Sequence, residues 1–207
     1  MTQASPPKIE LFETSLRDGM QQPNIDISVP SAVSLLQRMS AFGVHYAEIG
    51  FAGATQFVSE FTAALDSVDT GQMKLALFGR TRGRGASVEQ WPDVQFIVAR
   101  KHRVPVAVLV LKSRLLDVIK SLETTPKENL LMAYETIACL QDHGLEVIVD
   151  FEHGMDANCG RRENGTPCDP DFNRRSLDYF HQLTAQCISQ KVSRIVICDT
   201  TGGANPE

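Results

Sequence analysis

Charged and hydroxyl side chains recur along this 207-residue sequence at the points where apolar runs end. The first group contains Arg17 and Asp18, neighbours that could share the work of activating a carbonyl. An aspartate oxygen suits a hard divalent cation, and a guanidinium can polarise the carbonyl held by that cation. Taken alone, this pair could equally be a surface ion pair. The later groups are Glu48, Arg80-Thr81-Arg82, Lys112-Ser113, Glu152-His153 and Asp199-Thr200-Thr201-Gly202-Gly203.

The elements that would position these groups alternate between short β-branched runs and longer amphipathic stretches. The pattern predicts strands over residues 9–12, 46–51, 74–78, 104–111, 145–151 and 194–198. It predicts helices over residues 31–42, 57–68, 88–100, about 125–143 and 172–190. Strands that alternate with helices form βαβ units with right-handed crossovers, so we expect an α/β fold with a parallel sheet.

The spacing of these units favours a particular α/β fold. A repeat of about 31 residues is typical of an eight-fold (β/α) barrel, and a doubly wound open sheet is the alternative. At that spacing the chain holds about six and a half units. We therefore expect residues 1–207 to form one partial catalytic domain, an incomplete (β/α)8 barrel of about six βα units that lacks the seventh and eighth units and any C-terminal regulatory domain.

In the expected barrel, the scattered polar groups would lie close together. In a parallel barrel the carboxyl ends of the strands open at one mouth, so groups that follow six different strands would converge there. Residues 204–207 resemble the first turn of a helix, which suggests a barrel that is cut after its sixth strand.

Composition narrows the possible partners. A hydrophobic content of 43% and a charged content of 22% exclude a disordered or coiled-coil chain. The net charge of −5 gives no basic footprint for nucleic acid or an anionic membrane surface. No apolar run approaches the roughly 18 residues that span a bilayer, and the start carries no secretory signal, so we expect a cytoplasmic protein. Five scattered cysteines without a Cys-x-x-Cys pair predict reduced thiols.

Six motifs resemble one enzyme family along essentially the whole chain. They begin with Glu13-Thr14-Ser15-Leu16-Arg17-Asp18-Gly19-Met20-Gln21 and continue through Tyr46-Ala47-Glu48-Ile49-Gly50-Phe51, Phe78-Gly79-Arg80-Thr81-Arg82, Lys112-Ser113, Asp150-Phe151-Glu152-His153-Gly154-Met155-Asp156 and Cys198-Asp199-Thr200-Thr201-Gly202-Gly203. This set resembles the isopropylmalate, homocitrate and citramalate synthases, and the last two motifs are most similar to the citramalate synthase branch. The family consists of barrel enzymes that condense acetyl-CoA with a 2-oxo acid.

The resemblance implies a role for each matching residue. Asp18 would be the first ligand of a divalent metal, Mg²⁺, Mn²⁺ or Zn²⁺, and Arg17 would stabilise the oxyanion that forms on the 2-oxo carbonyl. Glu152 and Glu48 would belong to the acid-base and water-orienting set. The substrate-binding residues would be Thr200, which holds the substrate carboxylate, Arg80 and Gln21. Acetyl-CoA would be the co-substrate, and a homo-oligomer or a complementing barrel fragment would be the protein partner.

The sequence departs from the family pattern at several places. Glu13 stands where the family usually has aspartate, and Arg114 stands where the branch often has histidine. The His-x-His pair that completes the metal site in the family lies beyond residue 207, and we do not expect His153 to replace it. We therefore expect the chain to be inactive alone. A hydroxymethylglutaryl-CoA lyase-like enzyme and a truncated non-catalytic binding subunit remain the alternatives.

Two further segments are open to functional interpretation. The Gly79-Arg80-Thr81-Arg82-Gly83-Arg84-Gly85 tract favours an anionic ligand over RNA on an acidic chain, and a solvated loop is the other interpretation. Residues 154–170 are rich in Gly, Asn, Asp and Pro, and irregular segments of this length often carry function.

Overall fold

The protein is described by a computed structural model that covers residues 9–156 and 170–202. Within these ranges, six strands form one sheet: β1 (Phe12–Glu13), β2 (Tyr46–Phe51), β3 (Lys74–Arg80), β4 (Val106–Lys112), β5 (Glu146–Glu152) and β6 (Arg194–Ile197). Each strand pairs in parallel with the next one along the chain, in the order β1 to β6. The expected incomplete (β/α)8 barrel of six units is confirmed.

In the described residues, six α-helices connect the strands: α1 (Val29–Phe42), α2 (Gln56–Ala64), α3 (Pro92–Val98), α4 (Leu115–Lys120), α5 (Pro126–Asp142) and α6 (Pro170–Ser189). Local chemistry sets their starts. The hydroxyls of Ser28, Thr55 and Thr125 accept hydrogen bonds from backbone N–H groups three residues later, which caps α1, α2 and α5.

The structure differs from the predicted elements most clearly at β1, at α3 and at α4. β1 covers two residues rather than 9–12, because this edge strand has a single neighbour and its pairing is confined to Phe12 and Glu13. α3 begins at Pro92, whose ring fixes a helical φ at the first position, so the helix is shorter than 88–100. Helix α4 was not predicted, since its six residues directly follow an apolar strand.

The sheet separates two apolar layers. The larger layer lies between the sheet and the helices and includes Leu36, Phe61, Ile97 and Ile137. All buried residues of the smaller layer lie on strands, which places this layer on the face opposite the helices. These residues are Tyr46, Ala76, Phe78, Val106, Val108 and Ile148. Strand side chains alternate between faces, so Glu48, Arg80, Lys112, Asp150 and Glu152 share this inner face toward the carboxyl ends of their strands.

The barrel is open between β1 and β6, which are not paired with each other in the part of the chain that the structure describes. Large apolar side chains are exposed near both open edges. Phe42, at the end of α1, is 79% exposed, and it borders a groove of about 420 Å³ beside β1. Ile197, at the end of β6, is 51% exposed. Both edges therefore expose apolar side chains beside a strand that has no neighbouring strand on one side in the described residues.

Within the described ranges, every helix is too short or too polar to cross a membrane. Most of the irregular segment 154–170 and all of residues 204–207 lie outside those ranges, apart from a 3-10 turn at Gly154–Asp156 and Pro170, which begins α6.

Candidate active site

A cavity of about 790 Å³ opens at the carboxyl ends of the strands. It brings together side chains from the loop after β1, from the ends of β3, β4 and β5, and from the segment after β6. Six of the seven residues that we selected from the sequence line it: Arg17, Asp18, Gln21, Arg80, Glu152 and Thr200. The expected convergence of polar groups at one mouth is what the structure shows.

Arg17 is the cation at the base of this cavity. A turn after β1, in which the carbonyl of Thr14 accepts from the N–H groups of Arg17 and Asp18, points the side chain inward. The guanidinium stacks 4.1 Å from the centre of the Phe78 ring. Its Nη1 donates to Asp18 Oδ1 at 2.9 Å. The arginine is thus held from two sides and pre-oriented toward the cavity.

Glu48 lies behind Arg17 and is not among the residues that line the cavity. Its Oε2 accepts from Arg17 Nε at 2.5 Å, and the residue is 1% exposed. Gly50 lets helix α2 approach at this point, because a Cβ there would come within 2.6 Å of the Val58 side chain. Burial raises the pKa of Glu48 to about 7 against the opposing effect of Arg17. Its contacts make Glu48 a positioning partner of the arginine.

Asp150 is a site residue that the sequence reasoning quoted in a motif but gave no role. It lies on β5 in register with Val110 and Val196, it lines the cavity, and it is 7% exposed. Its Oδ2 lies 3.9 Å from Arg17 Nη2. Burial raises the pKa of Asp150 to about 6. The signal was present in the strand pattern, since Asp150 precedes Glu152 by two residues and therefore shares its face.

Glu152 ends β5 beside Lys112, which ends β4 at the same register level. The Lys112 ammonium donates to Glu152 Oε2. The Lys112 carbonyl accepts from Asn129 and Tyr179, at 3.2 Å and 3.0 Å, which anchors the strand end to α5 and α6. The carboxylate is consequently fixed at the rim of the cavity with its charge balanced.

Thr200 joins the segments that follow β5 and β6. Its Oγ1 accepts from the backbone N–H of His153 at 2.9 Å, and His153 has a positive φ of 54°. A hydroxyl that accepts one hydrogen bond still has its own proton to donate, so Thr200 can offer a donor to a substrate carboxylate. The His153 side chain faces Asp156, with Nδ1 3.5 Å from Oδ2, rather than Asp18.

Arg80 forms one wall of the cavity and Gln21 lies exposed on its rim. Asp93 fixes the Arg80 guanidinium by accepting from Nε at 3.0 Å and from Nη2 at 2.9 Å. The Phe51 and Trp91 rings lie 5.3 and 6.0 Å from it. A guanidinium has five N–H donors, so this rigidly held arginine retains donors for an anionic ligand.

The contacts of Arg82 hold the fold together, although we considered this residue as part of an anion-binding tract. It is 4% exposed, and its guanidinium donates to Glu135 and to Glu128, the latter at 2.9 Å. Arg84 donates to the Glu123 carbonyl at 2.8 Å. Arg82 therefore fastens the loop after β3 to helix α5.

The described residues do not complete a metal site. Asp18 offers a side chain that is 63% exposed, one of whose oxygens is bonded to Arg17. Across residues 9–156 and 170–202, no three His, Cys, Asp or Glu side chains are grouped closely enough to hold an ion. The donor type at Asp18 suits Mg²⁺ or Mn²⁺, but such ions require about six oxygen ligands. A single carboxylate is too few.

The parallel half-barrel with its cavity at the carboxyl ends of the strands defines the fold class, that of (β/α) barrels, and comparison with known proteins gives the family. The HMGL-like family model matches residues 8–207, and the chain belongs to that family. The family assignment expected from the motifs is confirmed.

Proteins similar to this chain include citramalate synthases by sequence and hydroxymethylglutaryl-CoA lyases by structure. The (R)-citramalate synthases of Aquifex aeolicus and Streptomyces coelicolor are 31% and 32% identical over 96% and 95% of this chain, each over 34% of its own length. The chain thus spans about a third of these relatives. A hydroxymethylglutaryl-CoA lyase from Pseudomonas aeruginosa has a TM-score of 0.69 at 15% identity, over 97% of this chain and 60% of the lyase, which shows the shared fold.

Proposed function

We propose that this chain carries the catalytic half-barrel of an acyltransferase that condenses acetyl-CoA with a 2-oxo acid. The product would be a 2-hydroxy dicarboxylic acid of the alkylmalate type. The observation that carries this proposal is the convergence of Arg17, Glu152 and Thr200 on one cavity. The names of the citramalate synthase relatives support it.

Arg17 would stabilise the negative charge that develops on the 2-oxo carbonyl oxygen. An oriented donor that is already in place costs no reorganisation during the reaction, which is the usual source of a large electrostatic contribution. The Phe78 ring and the Glu48 carboxylate provide that orientation. Glu48, which we expected in the acid-base set, would act as a positioning residue through its bond to Arg17.

The substrate would lie between the two sides of the cavity. Thr200 donates its hydroxyl proton to the carboxylate of the oxo acid, while Arg80 and Gln21 contact the anionic groups at the opposite rim. Glu152, fixed by Lys112, takes up the proton that leaves the acetyl methyl group and orients the water that hydrolyses the thioester. Hydrolysis releases CoA and makes the overall reaction favourable.

Asp18 would be one ligand of a divalent metal, Mg²⁺, Mn²⁺ or Zn²⁺, which supplies Lewis-acid polarisation of the carbonyl when bound. The other ligands would come from outside the described residues. We also infer that the two open sheet edges are covered by a complementing barrel fragment or by other copies in a homo-oligomer, and that the chain is inactive alone. We place it in the cytoplasm as a biosynthetic enzyme.

The test combines binding and turnover. Pyruvate titrated into the purified chain, followed by calorimetry, should bind, whereas release of CoA from acetyl-CoA plus pyruvate and divalent metal should stay at background. Strong CoA release would contradict the inference that the chain is inactive alone. Cleavage of hydroxymethylglutaryl-CoA would favour a lyase, and failure to bind pyruvate would overturn the condensation proposal.

A further inference from the structure

Arg17 is surrounded by more carboxylates than one guanidinium can neutralise. Asp18, Glu48 and Asp150 lie 2.9, 2.5 and 3.9 Å from its nitrogens. Asp18 is mostly exposed and is the residue that we assign to the metal, but Glu48 and Asp150 are almost completely buried. If both of these were ionised, they would leave a net charge of −1 beside Arg17 even without Asp18. Burying an unpaired carboxylate is costly, and such groups usually bind a proton instead.

The unpaired atoms identify where a proton is needed. Glu48 Oε1 and Asp150 Oδ1 are both buried, and neither has a hydrogen-bond partner among the residues that the structure describes. Of these two side chains, Asp150 lines the cavity and Glu48 does not. A protonated Asp150 can therefore donate to a molecule in the cavity, whereas Glu48 remains behind Arg17.

Resting on the function proposed above, we propose that Asp150 is a further catalytic residue, the acid that donates a hydrogen bond and then its proton to the 2-oxo carbonyl oxygen. When the acetyl carbanion forms the new C–C bond, the π electrons of the carbonyl move to that oxygen. The oxygen takes the Asp150 proton and becomes the product hydroxyl. The carboxylate that remains lies beside Arg17 and regains a proton from water.

The neighbouring groups are less suited to this step. Glu152 already accepts from the Lys112 ammonium. The Cys198 thiol also lines the cavity, but burial raises its pKa to about 12, which makes it a weak acid at neutral pH. The pKa of Asp150, raised to about 6 by burial, is closer to the working range of a general acid.

The charged and titratable groups that face Asp150 come from every element around the cavity. Arg17 and Asp18 follow β1, Glu48 lies on β2 and Arg80 ends β3. Lys112 and Glu152 end β4 and β5, Arg82 follows β3, and Cys198 and Asp199 follow β6. The nearby His153 side chain faces Asp156 instead. Variants that separate Asp150 from these groups are needed in any pH experiment.

The experiment measures pyruvate affinity of the 207-residue chain by calorimetry from pH 5 to pH 8. As Asp150 loses its proton, it loses its donor and adds negative charge, so wild-type affinity should fall about tenfold, the equivalent of one hydrogen bond. In Asp150→Asn the amide keeps a donor at every pH. Its affinity should therefore remain constant and match that of the wild type at pH 5.

Three variants serve as controls, and each outcome decides the proposal. Glu48→Gln and His153→Gln should keep the pH dependence, and Asp117→Asn, at a buried aspartate that pairs with Arg114 outside the cavity, should keep both affinity and pH dependence. The role of Asp150 would be overturned, and the proposed function would stand, if wild-type affinity did not change with pH or if Asp150→Asn affinity still changed with pH. Absence of pyruvate binding at every pH would overturn the proposed function and this role together.

Discussion

The two ends of the half-barrel carry polar clusters of opposite character. At the amino ends of the strands, Glu146 accepts from the Tyr46 hydroxyl at 3.0 Å, from Lys74 Nζ at 2.5 Å and from Arg194 Nη1 at 2.9 Å. Arg194 also binds Glu10 across the open side of the barrel, with Nε 2.7 Å from Oε2. Two carboxylates face two cations, and the charges balance.

At the carboxyl ends, one guanidinium faces three carboxylates, and two buried oxygens have no partner in the described residues. The two clusters also differ in burial: the Lys74, Arg194 and Glu10 side chains are 50%, 32% and 28% exposed, whereas Glu48 and Asp150 are almost completely buried. A satisfied network stabilises a fold, whereas unpaired groups are retained where a ligand will supply the partner. The comparison assigns a structural role to the amino end and agrees with the ligand-binding role that we propose for the carboxyl end.

The largest effect is expected when Arg17 is replaced by Met. This change leaves Glu48 and Asp150 buried without a cation, so the free energy of unfolding should fall by about 3–5 kcal/mol at pH 8. The loss should be smaller at pH 5, where both carboxyls can bind protons. Chemical denaturation at the two pH values measures this, and an equal loss at both would contradict the charge imbalance.

The next effect concerns the pH dependence of stability. The folded-state pKa of Glu48 lies above its unfolded value, so its contribution is fully present below about pH 4.5 and is lost as the pH rises through about 7. Between pH 4 and pH 8, the free energy of unfolding of the wild type should therefore decrease by roughly 3 kcal/mol more than that of Glu48→Gln. Parallel denaturation curves for the two proteins across this range would refute the prediction.

A moderate effect on binding is expected at Thr200. Thr200→Val removes the hydroxyl donor while preserving shape, so pyruvate affinity should fall about tenfold. Thr201→Val, in the adjacent residue whose hydroxyl donates to Asp156 at 3.3 Å, is the matched control and should bind pyruvate normally. Calorimetric affinities that are equal for wild type and Thr200→Val would remove Thr200 from the substrate site.

The smallest effect is expected at the amino end. Arg194→Met removes the bonds to Glu10 and Glu146, and the free energy of unfolding should fall by about 1–2 kcal/mol with no change in pyruvate affinity. Lys74→Met, at a more exposed member of the same network, should cost less than about 0.5 kcal/mol. A loss of pyruvate affinity in Arg194→Met would show that the two ends are coupled and would weaken the comparison.

The sequence predicted the order of the strands and the place of the site because both depend on simple patterns. β2, for example, was predicted with its observed bounds, since it is a short, mostly apolar run between Gly43, which ends α1, and Gly53. Six side chains chosen at strand ends line the cavity because parallel strands share one mouth.

The remaining features depend on contacts between distant residues. Arg82 was grouped with an anion-binding tract because no local pattern shows that Glu128 and Glu135 will bind it from α5. Glu48 was expected at the reaction itself, but packing against α2 places it behind Arg17. Asp150 received no role because its importance comes from the number of carboxylates around Arg17, which no single motif contains. That residues 1–207 form one partial catalytic domain stays a prediction.

The most direct test of the account is a crystal structure of the chain soaked with pyruvate. We predict pyruvate in the carboxyl-end cavity, with its 2-oxo oxygen about 3 Å from both the Arg17 guanidinium and the Asp150 carboxyl, and its carboxylate on the Thr200 hydroxyl. Pyruvate bound elsewhere, or bound in the cavity without contact to Arg17, would contradict it.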